Sequence, residues 1–430
     1  MKRALLTLMA SFVFLTGCSG NTSQSSGGIT PDEVFSGGSI TIDGYDRPSN
    51  MIEISSQQLV TNIRIGWNAG GALESCSADL DGDGSADHVP GAGQVPDETF
   101  WGNYPLTEKY FKTLADSGIN AVRLPITWRE HIDSDGNINE AWLNRVQQVV
   151  DYAYDSGMYV IITMYHDGAA DTEFGAWIRN ASTDRNSVIK KYDRIWSQIA
   201  ERFITYNERL LYESMNSVEF PDMEEDKAYE LFNSLNQQFV NTVRMTGGNN
   251  LRRHLVISGY GADISETCDE RFEMPEDFSN KCILSVHYYI PKTFCDDGVQ
   301  SNWGSKVEKD WMESRVELLR TNFVDNGIPV IISEYGTPDD SDESSRIYFC
   351  EKLTKLCHDN YISTFLWDGG SVLSRRSNEW NEPHLLAALK RATSGHAYVP
   401  KKISTTEEAS MTEISVAEEE FTGEQGATAD

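Results

Sequence analysis

The chain has 430 residues, 39% apolar and 10% aromatic, enough to bury a large core. One barrel of roughly 250 or more residues with extensions fits that length as well as two smaller domains do. A formal charge of −30 and an isoelectric point near 4.6 argue against a nucleic-acid partner, whose phosphates would be repelled, whereas a neutral glycan meets no such barrier.

In chain order, residues 1–17 read as a secretory signal, with Lys2 and Arg3 ahead of an apolar stretch too short to span a membrane stably. The stretch ends in Leu15-Thr16-Gly17-Cys18, which resembles a bacterial lipobox. That resemblance implies a lipidated Cys18 as the new N-terminus, and so an exported lipoprotein held at the cell surface, in an outer leaflet or outer membrane. An ordinary secreted precursor with an incidental cysteine is the alternative. Residues 18–45 form a flexible linker, rich in Ser, Thr and Gly between positions 21 and 38. Residues 398–430 form an acidic tail expected to be disordered, which leaves 46–397 as the folded domain.

Within that domain, short apolar runs alternate with longer helical patterns, the mark of parallel βα units. The expected strands are 62–67, 121–124, 159–164, 210–215, 255–258, 283–287, 330–333 and 363–367. Apolar spacings of three and four, as in Trp142, Val146, Val149, Val150 and Ala153 or Tyr192, Ile195, Ile199 and Phe203, predict helices between them. Periodicity alone would also suit a doubly wound sheet. Eight strands that each end in polar or aromatic residues favour a closed α/β barrel, a (β/α)8 TIM barrel, with its site at the strand C-termini.

Of seven cysteines, Cys18 belongs to the signal; the other six, in an exported chain, permit fifteen disulfide pairings. Cys268 with Cys282 is the preferred pair. Cys350 and Cys357 fall two helical turns apart, roughly 10 Å along an axis, too far to bond.

The strand ends form a constellation: Arg123 on strand two, Asn216 and Ser217 after strand four, His287 and Tyr289 at strand six, Glu334 on strand seven and Trp367 on strand eight. Retaining glycoside cleavage suits this set, since it uses a carboxylate nucleophile about 5 Å from a carboxylic acid that donates and later removes a proton. Glu334 would be the nucleophile, Arg123 would hold it ionised, Tyr289 would reach its other oxygen, and Trp367 offers a flat face to a pyranose ring.

Gly66-Trp67-Asn68, Asn120-Ala121-Val122-Arg123-Leu124-Pro125, Thr246-Gly247-Gly248-Asn249-Asn250, Ser285-Val286-His287-Tyr288-Tyr289 and Ile332-Ser333-Glu334-Tyr335-Gly336 resemble the marks of glycoside hydrolase family 5, the cellulase-like enzymes. The pattern is nearest to the endoglucanase and xyloglucanase-type branch and covers residues 63–392. The resemblance implies catalysis without a cofactor and a β-glucan-type oligo- or polysaccharide as partner. It gives Asn216 a hydrogen bond to the sugar 2-hydroxyl and places His287 and Tyr289 along the cleaved position.

Three positions depart from that pattern. Family members carry Asn-Glu where this chain has Asn216-Ser217, so the proton donor is replaced by serine. Met164-Tyr165-His166-Asp167 stands where Leu-His-His-Asp is usual, turning a subsite histidine into Tyr165 beside His166. The strand-one motif drifts to Asn68-Ala69-Gly70-Gly71-Ala72-Leu73. A serine hydroxyl is no general acid near neutral pH, and that role is typically worth about 10² to 10⁴ in rate. Glu219 is a candidate surrogate, on the same side as Ser217 in extended geometry and displaced by about 6.5 Å.

A further motif, Asp79, Asp81, Asp83 and Asp87 with Gly84 at the sixth position, matches a Ca²⁺ loop except that Pro90 stands at the twelfth. A structural Ca²⁺ and an acidic surface turn are the two readings. For function, three remain open: a glycan-binding protein with impaired hydrolysis, an endo-β-glucanase with a relocated acid such as Glu219, and a scaffold, which would have no need of Glu334, Arg123 and Trp367 together.

Overall fold

The computed structural model describes residues 39–42, 45–48, 51–77, 94–168, 175–296 and 298–395. The signal, Cys18, the segment up to residue 38, the acidic tail and Asp79, Asp81, Asp83 and Asp87 lie outside the described residues. A short antiparallel hairpin, Ser39–Ile42 with Tyr45–Pro48, precedes the main domain.

Eight parallel strands then follow one another around a closed barrel. They are β1 Gly66–Ala69, β2 Ala121–Ile126, β3 Tyr159–Met164, β4 Leu210–Glu213, β5 Leu255–Ser258, β6 Cys282–Tyr288, β7 Val330–Tyr335 and β8 Ser363–Asp368. Closure is made by β8 against β1, from Phe365 opposite Gly66 to Asp368 opposite Ala69. A side chain at Gly66 would meet the Phe365 ring at 2.4 Å, which is why glycine opens the first strand. The helices between strands bury the predicted stripes: Trp142, Val146, Val149, Val150 and Ala153 on Glu140–Asp155, and Tyr192, Ile195 and Ile199 on Arg185–Arg202. The architecture is the (β/α)8 barrel expected from the sequence.

The first strand begins later than expected. Residues up to Asn62 close a helix, Ser56–Asn62, whose N-terminus is capped by Ser55 accepting from the Gln58 amide. Its apolar residues Leu59 and Val60, with Ile63 just beyond, turn under the barrel and meet Ala121, Ile161, Leu211, Val256, Ile283, Ile331 and Phe365. Ile63, expected in the first strand, therefore belongs with Leu59 and Val60 to the plug that dries the barrel floor. The fourth strand ends at Glu213 rather than 215, where the Tyr192 hydroxyl takes the Ser214 carbonyl at 2.7 Å.

None of the six described cysteines is in a disulfide, so the expected Cys268–Cys282 bond is not formed. The Cys282 thiol instead faces a carboxylate oxygen of Asp277 at 3.7 Å, and burial pushes the Cys268 thiol up to about 11. Cys350 and Cys357 share the helix Glu343–Asp359, as their spacing predicts.

The strand β7 carries the irregularity that matters most. Val286 pairs with Ile332 but His287 with Glu334, and on the other side Thr364 pairs with Ile332 but Leu366 with Tyr335. An extra residue is thus accommodated in β7 at Ser333–Glu334, a bulge that re-aims consecutive side chains. Ser333 and Glu334 both make contacts within the barrel as a result.

Leu59 is fully buried in the floor. Leu59→Ala is expected to cost about 2 to 5 kcal/mol in urea unfolding, the range for a leucine whose cavity does not collapse.

Candidate active site

At the C-terminal mouth the side chains converge on Arg123, itself fully buried on β2. Its Nε donates to Glu213 of β4 at 2.5 Å, one terminal nitrogen to Asn68 of β1 and Glu334 of β7 at 3.0 Å each, and the other to Asn216 at 2.7 Å. The Tyr165 ring lies beneath the guanidinium, 5.5 Å from ring centroid to Cζ. Glu213 spends its second oxygen on the Ser285 hydroxyl at 2.6 Å, and Ser285 is in turn within 2.6 Å of Ser333. Asn68 donates to the carbonyls of Ser333 and Phe365 at 2.9 and 3.1 Å. One cation thus ties together six of the eight strands.

Glu334 is 7% exposed and accepts on both oxygens: Arg123 and the Tyr165 hydroxyl (3.0 Å) on one, the Tyr289 hydroxyl (2.9 Å) on the other. Burial alone would raise its pKa. The neighbouring His287 ring, the Arg123 charge and the two phenolic donors outweigh burial, and Glu334 is held below the ordinary 4.5, ionised at neutral pH. The phenols of Tyr165 and Tyr289 move the opposite way, far up, because they are buried beside that carboxylate, and so stay protonated donors.

His287 bridges to the residue after Asn216. Its Nε2 stands 3.8 Å from Glu334, and its Nδ1 lies 3.3 Å from the Ser217 hydroxyl. Burial lowers the His287 pKa, with Arg123 adding to the effect, which leaves the ring neutral. Ser217 has φ +46, in the left-handed region that non-glycine residues seldom occupy.

The other candidates sit as follows. Trp367 packs against Tyr165 with ring centroids 5.7 Å apart and planes 26° apart, a contact stack. The indole fills the space a side chain at Gly70 would need, 2.3 Å away, which accounts for glycine in the drifted strand-one motif. His166 is one step removed, with its ring edge-on to Tyr165 at 4.6 Å and to Trp101 at 5.6 Å. The Glu219 carboxylate lies 3.3 Å from the position of a Cβ on Gly261, in the loop after β5, and it adds to the burial that raises the Tyr260 pKa. Among the described residues no cluster of three or more His, Cys, Asp or Glu side chains is suited to a metal ion.

Two members of the network, Glu213 and Asn68, were passed over in the sequence. The signal was there: a glutamate in an apolar strand run, Leu210-Leu211-Tyr212-Glu213, is almost always paired when buried.

A barrel with this mouth belongs to glycosyl hydrolase family 5: the cellulase model of that family matches residues 85–371. Among curated relatives, endoglucanase A of Paenibacillus barcinonensis is 32% identical over 379 residues, 79% of this chain and 91% of its own. The xyloglucan-specific endo-β-1,4-glucanase of Bacteroides ovatus is 30% identical over 385 residues, 82% of this chain and 73% of its own. Among solved structures, a mutant lichenase of Caldicellulosiruptor sp. F32 in complex with cellotetraose superposes with a TM-score of 0.71 at 29% identity, over 80% of this chain and 96% of that one.

Because the folded pKa of Glu334 is depressed, its stabilisation is complete above the unfolded value near 4.5 and is lost as the pH falls through the folded one. Melting temperature against pH is therefore expected to fall on the acid side in the native protein and to fall less in Glu334→Gln.

Proposed function

We propose that this protein holds β-1,4-linked glucan-type polysaccharide in the barrel cleft, in the service of polysaccharide catabolism, and hydrolyses it poorly. The observation that carries this is residue 217. At the position where the family resemblance expects the proton donor, the chain presents a hydroxyl bonded to a neutral histidine. Glu334 keeps the ionisation and the donors of an attacking carboxylate, and Arg123, Asn216, His287, Tyr289 and Trp367 line the cleft around it. Without an acid, departure of an unactivated sugar loses a factor of about 10² to 10⁴.

The relatives support the ligand class, being an endoglucanase, a xyloglucan-specific glucanase and a lichenase seen with cellotetraose. The Glu219 carboxylate lies beside Gly261 and Tyr260, and whether it serves as a relocated acid is decided by the assay below. The Leu15-Thr16-Gly17-Cys18 motif supports anchoring at the cell surface through a lipid on Cys18.

Calorimetry with cello-oligosaccharides and xyloglucan fragments is expected to show binding, while a reducing-sugar assay on the same ligands detects almost no release. Ser217→Glu is expected to raise release about 10² to 10⁴-fold. Substantial native turnover that Glu219→Gln abolishes would instead establish the relocated acid. For the anchor, Cys18→Ser is expected to move the protein from the membrane fraction to the soluble one, checked by fractionation and labelled-palmitate incorporation.

A further inference from the structure

The substitution that removes an acid creates another arrangement. Ser217 leaves β4 on a sharp turn with positive φ, flanked by fully buried Met215 and Val218 and fastened by the Val218 carbonyl, which accepts from the Gly261 amide at 3.0 Å. A serine carried on a strained strand exit is how a hydroxyl is lifted clear of a sheet for attack. Its Oγ lies 3.3 Å from Nδ1 of His287, and Nε2 of the same ring faces Glu334 at 3.8 Å. Hydroxyl, base and orienting anion thus stand in series, and the ring nitrogen nearer the serine is the one free to accept when Nε2 carries the proton toward Glu334. Asn216, the neighbour, accepts from Arg123 on its side-chain oxygen at 2.7 Å, which fixes the residue next to the serine.

We propose that Ser217, His287 and Glu334 form an acyl-transfer centre that hydrolyses O-acyl esters on the hydroxyls of a β-linked glucan-type chain. Ser217 Oγ attacks the ester carbonyl as His287 Nδ1 takes its proton. The C–O bond to the sugar breaks, and His287 returns that proton to the departing sugar oxygen. A water molecule, deprotonated by the same nitrogen, then cleaves the acyl-serine to the free acid and restores the hydroxyl. Glu334 acts through His287, as a positioning residue. Two buried carboxylates, Glu213 and Glu334, face one guanidinium in this mouth, so a neutral acyl group such as acetyl fits and an anionic one is repelled. The glycan part of the assignment rests on the preceding proposal; the acyl chemistry does not.

The direct test is covalent labelling of the native full chain with a fluorophosphonate probe, mapped by peptide mass spectrometry, beside acetate release from acetylated cello-oligosaccharide. A single adduct on Ser217, shielded by that oligosaccharide, is expected, together with acetate release that falls about 10² to 10⁴-fold in His287→Asn and is lost in Ser217→Ala. Glu334→Gln is expected to lower kcat with little change in KM, a split that loss of folding would not give. Native protein that remains unlabelled at Ser217, or acetate release that Ser217→Ala leaves intact, overturns the acyl-transfer centre. Labelling that the oligosaccharide does not shield overturns the glycan assignment alone and leaves the centre standing.

Discussion

Everything at the mouth of this barrel depends on one buried guanidinium. Arg123 binds two carboxylates from different strands, Glu213 and Glu334, and two side-chain amides, Asn68 and Asn216, with almost no access to water. Removing it would strand two charges in the interior, a loss of roughly 3 to 5 kcal/mol for a single broken buried pair. One positive charge does not neutralise two negative ones. The remainder is met by hydrogen bonds: Ser285 on Glu213, and the phenols of Tyr165 and Tyr289 on Glu334. The geometry of the cleft and the ionisation of Glu334 therefore have the same cause.

Two departures from regular backbone shape the ground around His287. The bulge in β7 lets Ser333 tie into the Ser285 and Asn68 contacts while Glu334 still turns to Arg123, which strict alternation would forbid. The left-handed turn at Ser217 brings its hydroxyl to His287 rather than out along the strand. Irregularities of this kind are costly and persist where the surrounding structure over-determines them. Here both border the same histidine.

Much of the barrel was legible because its signals are local. Apolar runs and helical spacings mark β2, β3, β5 and the packing faces of Glu140–Asp155 and Arg185–Arg202 almost to the residue. At 62–67 the apolar Ile63 and Ile65 read as strand, but pairing with β2 and β8 begins only at Gly66, because Ile63 packs under the barrel with Leu59 and Val60. In the site, Arg123, Asn216, His287, Tyr289 and Glu334 could be singled out because strand ends concentrate polar groups. Glu213 carries the local signal of a charge in an apolar run, but the identity of its partner, 90 residues earlier, is set only when the strands close. The bulge and the positive φ at Ser217 have no sequence signature here, and the approach of Glu219 to Gly261 is a contact between two loops distant in sequence.

We propose that in this protein an ionised attacking carboxylate, Glu334, survives without a proton donor. The measurement that tests it most directly compares an aryl cellobioside whose leaving group needs no proton with unmodified cellotetraose under the same conditions. Release from the activated aryl glycoside is expected, with a 2-fluoro analogue trapped covalently on Glu334, and negligible cleavage of cellotetraose. Rapid hydrolysis of cellotetraose, or an activated substrate that leaves Glu334 unmodified, would contradict it.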